Sequence, residues 1–227
     1  MRKKIFQWLG KEFIAISCEG KQKGTAGEEA REIFRRLDEE LRGQGLSLEH
    51  TVRTRLWARD RESRNLASNE RFKSLAGNAR SVSSSYIAPD HFDSDARVAM
   101  DLLAMRPDQP GSQKVLVEYD PPIVPLRYLS YDSVVFLSGV TVVLPELANQ
   151  LSDILPRITG SLADAGASWN QVVKVSSFLH RSQKLETYKE LFAKDVKAEI
   201  PLTEYAFVDG YSSEGKLVEV EVTAKIR

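Results

Sequence analysis

Gly45-Leu46-Ser47-Leu48-Glu49-His50-Thr51-Val52-Arg53-Thr54-Arg55-Leu56-Trp57 reads in parallel with Gly166-Ala167-Ser168-Trp169-Asn170-Gln171-Val172-Val173-Lys174-Val175-Ser176-Ser177-Phe178. The two stretches lie 121 residues apart. At the same offset Phe13-Ile14-Ala15-Ile16-Ser17 falls on Val134-Val135-Phe136-Leu137-Ser138, so the correspondence extends to an upstream apolar strand. Each half of the chain is therefore one copy of a unit of about a hundred residues. Between the copies, Arg106-Pro107-Asp108-Gln109-Pro110-Gly111-Ser112 carries the proline, glycine and serine of a linker. The domains expected are residues 1–108 and 113–227.

Each copy repeats one order of elements. In the first, a strand at 13–17 precedes a helix from about Gly27 to Arg42, with Ala30, Ile33, Phe34, Leu37 and Leu41 on one face. A strand at 51–58, a helix at 65–76 with Leu66, Phe72 and Leu75 on its apolar face, and strands at 80–87 and 97–105 complete it. The second copy reads as strand 134–138, helix 147–165, strand 172–179, helix 185–195, and strands 205–208 and 216–225. Pro156 lies inside the pattern of the first of these helices and predicts a kink or break near Asp153.

This order makes an α+β unit, a mixed sheet with two helices on one face. Val134 to Phe136 and Val172 to Val175 are apolar on both sides, so the second face of the sheet must be covered by another copy.

Composition sets the class. The 227 residues hold 32 basic and 32 acidic side chains, and 42% are hydrophobic, which describes a folded globular chain. Residues 1–110 carry 20 basic and 17 acidic groups, the remainder 12 and 15, so the halves have modest opposite charges. No apolar run approaches the ~18 residues of a membrane span, and the apolar stretch behind Met1-Arg2-Lys3-Lys4 ends at Lys11, too short for an export signal. A cytoplasmic protein is expected. Cys18 is the only cysteine, so an intramolecular disulfide is excluded, as is any multi-cysteine metal site. His50, His91 and His180 have no metal-ligand spacing and read as local structural residues. Arg53, Arg55, Arg59, Arg61, Arg64 and Arg71 interleave with Asp60, Glu62 and Glu70, which reads as a salt-bridged solvent face rather than a nucleic-acid groove.

With these residues assembled, the chain resembles two tandem copies of the RidA/YjgF family. The second half carries the clearer match in Ser138-Gly139, Ala165-Gly166-Ala167-Ser168, Tyr188-Lys189-Glu190-Leu191-Phe192, Pro201, and Leu217-Val218-Glu219-Val220-Glu221-Val222-Thr223-Ala224. The first half keeps Asn78-Ala79-Arg80-Ser81 at the head of a strand. The resemblance implies chorismate-mutase-like domains, a homo-oligomeric trimer of two-domain chains, and ligand clefts between adjacent copies. It also implies hydrolytic deamination of 2-imino or enamine acids to 2-keto acids and ammonia, without metal or organic cofactor.

Carried over residue by residue, the family's carboxylate-binding arginine falls on Arg80, while the second half has Thr203 or Glu204 there. The cleft asparagine falls on Asn69, and the acidic residue of the last strand on Asp101 and Glu219. The glycine after the strand-ending serine is Gly139 in the second half and Cys18 in the first. Leu126 or Arg127 occupies the region of the cleft tyrosine.

The chemistry agrees with those types. A planar guanidinium at Arg80 can grip a carboxylate through two parallel bonds. Asp101 or Glu219 can exchange a proton with an attacking water, and the backbone at Val82 can orient that water. Three readings follow: a deaminase, a non-catalytic module that binds small carboxylates, and an assembly subunit in which Arg80 pairs internally.

Overall fold

A computed structural model describes residues 1–21 and 24–226. In the first half, β1 (Arg2–Trp8) and β2 (Lys11–Glu19) form a hairpin whose turn places Leu9 and Gly10 at positive φ. There follow α1 (Ala26–Arg42), β3 (Thr51–Ala58), α2 (Arg61–Ser74), β4 (Val82–Ile87) and β5 (Val98–Met105). The strands lie in the order β1-β2-β5-β3-β4, with β3 and β4 parallel and the other pairs antiparallel.

The second half contains β6 (Val115–Val117), β7 (Tyr128–Tyr131), β8 (Val134–Leu137), α3 (Leu147–Asp164), β9 (Val172–His180), α4 (Leu185–Asp195), β10 (Leu202–Val208) and β11 (Val218–Lys225). Its order is β10-β9-β11-β8-β7-β6. Read from the other edge, this is the first sheet with one strand added.

The duplication is visible in small motifs as well as in topology. Before β3, Ser47 caps a single turn at Leu48–His50 and the His50 ring accepts from the Ser47 amide. Before β9, Ser168 and Gln171 repeat that reciprocal cap at Trp169–Gln171. α1 starts on a full capping box, with Thr25 accepting from the Glu28 amide at 3.2 Å and Glu28 from the Thr25 amide at 2.7 Å. Ile33, Leu37 and Leu41 on its inner face are completely buried, which contributes about 1.5–3 kcal/mol each.

Several expectations need correction. β1 lies outside the sequence reading; it is an edge strand in which only Phe6 and Trp8 are half-buried, against Phe13, while Arg2 to Ile5 and Gln7 are exposed, too short an alternation to read. α3 runs unbroken through Pro156. That proline and Ser152 both face solvent, where water can take the carbonyl that the missing N–H would have bonded. α2 begins four residues early because the Asp60 side chain accepts from the Ser63 amide at 2.7 Å. Its buried face is Ser63, Ala67, Glu70 and Arg71, whereas Leu66 and Phe72 are 39% and 58% exposed.

The two sheets cover each other's second face. Phe13, Val52, Val82 and Met105 pack with Leu129, Tyr131, Val134 and Phe136. Further along, Trp57 and Tyr86 meet Phe178, Val208 and Tyr211, with the Tyr86 and Phe178 rings stacked at 4.1 Å. Glu221 forms the polar centre of this contact. It is buried, pairs with Arg53 at 2.6 Å and Arg55 at 2.8 Å, and accepts from Ser84 Oγ at 2.6 Å. Burial would raise its carboxyl, yet Arg53 and Arg55 bring it down to about 2. Arg53, Arg55 and Arg71 are thus largely buried, not on a solvent face as expected, because carboxylates and carbonyls of the fold receive them.

Candidate functional site

The edge of the first sheet and the opposing strands of the second enclose a cleft of about 210 Å³. Arg64, Ser68 and Arg71 enter it from α2, Ser83 to Ser85 from β4, Gly139 to Thr141 from the segment after β8, and Glu219 from β11. Tyr119, Ile123 and Val124, from the connection between β6 and β7, form a further wall.

Glu219 is 5% exposed, and Tyr86 Oη donates to its Oε1 at 3.2 Å. Burial, reinforced by the neighbouring Glu221 charge, pushes its carboxyl up to about 7. Such a group holds or releases a proton near neutrality. Gly139 makes the space for it: a Cβ at that position would lie 2.5 Å from Glu219 Cδ and 2.8 Å from Cγ, and closer still to Oε1.

Arg71 is the counterpart on the other wall. Its guanidinium donates to the Ser84 carbonyl at 2.6 Å and Ser85 Oγ at 2.8 Å, and has no carboxylate within ion-pair distance among the described residues. Burial, with the Arg64 charge adding to it, lowers it to about 10, so it stays cationic at neutral pH. A buried guanidinium without a counter-ion is an anion seat. Its signal in the sequence was the spacing of Ser63, Ala67 and Arg71, a small-residue face mistaken for the exposed one.

The other sequence candidates disperse. Arg80 stands outside the cleft in an adjoining hollow, ion-paired through both terminal nitrogens to Glu118. Asn69 is on the exposed side of α2. Val82 is fully buried between the sheets. Asp101 also faces the second half, but in a separate hollow with Arg55 and Glu221, accepting from Trp57 Nε1 and Ser17 Oγ, each at 2.6 Å. Cys18 packs into the first core, where burial raises its thiol. Arg127 is held by Asp164 and Ser161 beside α3. Of the site residues read from the sequence, Glu219 and Gly139 are the two brought together.

Strand register explains part of this. Trp57 faces Ala99 in the first sheet, and Phe178, at the repeat offset from Trp57, faces Glu219 in the second. Likewise Arg55 faces Asp101 and Ser176 faces Glu221. Asp101 therefore corresponds to Glu221, and the position of Glu219 is Ala99 in the first half. In the same way Val82 and Leu202 face residues at the repeat offset, Arg53 and Lys174, so Arg80 corresponds to Ile200 rather than to Thr203. No cluster of three or more His, Cys, Asp or Glu side chains suited to a metal is present among the described residues.

Residues 127–226 match the sequence model of the Endoribonuclease L-PSP family. The second half of this chain belongs to that family, the RidA/YjgF group. Among solved structures, a YjgF/YER057c/UK114 family member from Mycobacterium tuberculosis is 24% identical, covering 50% of this chain and all of that one, with a TM-score of 0.46. A serine-bound TdcF from E. coli is 19% identical over 50% of this chain and 99% of its own, at 0.44. A chorismatase is 14% identical yet spans 97% of this chain and 79% of its own at a TM-score of 0.66, which shows the two-domain architecture as a whole. No curated protein matches the chain. Among the described residues no helix is long and apolar enough to cross a membrane.

Proposed function

We propose that the cleft between the halves hydrolyses small 2-imino acids to 2-keto acids and ammonia. The observation carrying this reading is the buried Glu219, held near neutrality in a pocket that Gly139 leaves open and facing a wall with the unpaired Arg71. Arg71 binds the substrate carboxylate, and its bonds to Ser84 and Ser85 fix the plane of the grip. Ionised Glu219 takes a proton from water as the water oxygen bonds to the C=N carbon. The C=N π electrons move to nitrogen, which takes up a proton. Glu219, having given its proton to that nitrogen, takes the hydroxyl proton of the resulting carbinolamine and passes it to the amino group; the C=O forms as the C–N bond breaks and ammonia departs. Tyr86 steadies the carboxyl through its hydroxyl. Because imines are intrinsically reactive, positioning supplies much of the acceleration. Arg80, committed to Glu118, has no role in this reading.

The test is keto-acid release from freshly generated 2-iminobutyrate and 2-iminopropionate. Wild type should accelerate it; Glu219→Gln should lose about 10²–10⁴-fold, the usual contribution of a general base. A folded wild type no faster than buffer, yet saturably binding keto acids, would replace the deaminase with a carboxylate-binding module.

A further inference from the structure

The cleft contains more positive charge than one carboxylate can neutralise. Two of its neighbouring cations are already matched: Arg80 by Glu118, and Arg157 by Asp153 at 3.0 Å. Arg64, Arg71 and Lys216 have no carboxylate within ion-pair distance among the described residues, and all three line the cavity. Across from them stands Glu219, whose burial favours the neutral acid. Three cations facing one half-ionised carboxyl repel each other in a place with little water to screen them.

They also divide into two seats. Arg71 is pinned by Ser84 and Ser85 on β4. Arg64 lies two turns earlier on the same face of α2, and its Nε is buried without a hydrogen-bond partner. Lys216 approaches from the segment leading into β11, its Nζ donating to Ser212 Oγ at 2.6 Å. Burial lowers both groups, and the Arg64 charge adds to that effect on Lys216 as it does on Arg71. An orphaned guanidinium N–H and an ammonium, one from each half of the chain, form a place for a second anionic group.

The cavity is also small. Its volume of about 210 Å³ lies below the ~300–1,000 Å³ of pockets that hold larger ligands, which suits a short-chain occupant. We infer that the ligand of this cleft is a short dicarboxylate, with one carboxylate on Arg71 and the second between Arg64 and Lys216. Resting on the proposed hydrolysis, this makes the substrate the 2-imino acid of an acidic amino acid. A reaction that supplies it is the two-electron oxidation of an amino dicarboxylate by a flavin or nicotinamide enzyme, whose cofactor takes the Cα hydrogen as hydride while a proton leaves the nitrogen.

The experiment compares 2-iminosuccinate with 2-iminopropionate, generated in place from aspartate and alanine by amino-acid oxidases and differing by one carboxylate. Wild type should favour 2-iminosuccinate by at least tenfold in kcat/KM. Lys216→Met and Arg64→Gln, tested separately so that one unfolded variant does not decide the matter, should each cut that ratio about tenfold. A purely structural role would depress both substrates together and leave the ratio alone. Calorimetric titration with succinate and butyrate runs in parallel and needs no turnover. Succinate binding at least tenfold tighter, with the difference reduced in Lys216→Met, upholds the second seat even if neither imine is hydrolysed. Equal kcat/KM for the two imines, or equal binding of the two acids, overturns it while leaving hydrolysis intact.

Discussion

Replacing Gly139 by alanine adds one carbon where the Glu219 carboxyl already stands. The new Cβ would meet Glu219 Cδ at 2.5 Å, whereas carbon atoms in contact rest at about 3.5–4.0 Å, so one group must move by about 1 Å. Neither moves freely: Glu219 is buried and bonded to Tyr86, and the chain next to Gly139 is tied by reciprocal amide–carbonyl bonds between Val140 and Val220, at 2.9 and 3.0 Å. Overpacking of this kind costs about 1–3 kcal/mol. In a chain of this size that lowers Tm by about 2–4 °C for each kcal/mol. A reactive group displaced by 1 Å can also cost about a hundredfold in rate. Four proteins decide the matter: wild type, Gly139→Ala, Glu219→Ala, and the double variant, each melted and assayed on 2-iminopropionate. The stability penalty of Gly139→Ala should vanish in the Glu219→Ala background, since the clashing carboxyl is gone. A penalty of equal size in both backgrounds, or Gly139→Ala with wild-type kcat/KM, would refute the assignment of Gly139 as the space for that carboxyl.

Glu219 also sets a pH signature. Its folded value, about 7, lies above an ordinary glutamate, so the unfolded chain ionises first and stability contributed by the neutral acid is lost as pH rises from about 4.5 to 7. The loss is of order 3 kcal/mol, and Glu219→Gln should remove it; a difference between variant and wild type that stays flat between pH 4.5 and 8 in urea titrations contradicts the shift. Glu221→Gln leaves Arg53 and Arg55 buried without their shared carboxylate and should destabilise by about 3–5 kcal/mol at pH 7. Because the Glu221 carboxyl lies near 2, that contribution should fade as pH drops from about 4.5 towards 2, and a cost below 1 kcal/mol at neutral pH would show that the network does not hold the halves together. Arg80→Ala removes a half-exposed ion pair worth at most about 1 kcal/mol and should leave kcat/KM on 2-iminopropionate within about twofold, whereas Arg71→Ala should reduce it by at least tenfold. The reverse order of effects would restore Arg80 as the carboxylate grip.

The architecture was legible because it is written twice. Apolar strands at a constant offset, and the Ser47 and Ser168 caps that precede two of them, are local signals that survive divergence. The site was legible only where chemistry and backbone coincide: Glu219 alternates on a strand and Gly139 follows one. Arg71 escaped because hydrophobic periodicity assigns a helix face by its apolar residues. α2 reverses that logic, turning Phe72 outward and burying a guanidinium that β4 carbonyl and hydroxyl oxygens can satisfy. Asp101 is set against Glu219, 118 residues on, by motif matching alone, whereas the ladders put Glu221, 120 residues on, at its position; the repeat offset drops from 121 to 120 between the central strand and the strand parallel to it in each copy, a slip seen only once the ladders are registered.

The exchange of Gly139 and Glu219 in one half for Cys18 and Ala99 in the other has an evolutionary meaning. In a ring of identical copies every substitution is made at all clefts together, so no cleft can be altered without altering the rest. Covalent fusion removes that constraint. One lobe can then evolve as catalyst while its sibling, released from carrying an acid, evolves as scaffold, and selection acts on each wall of the cleft separately.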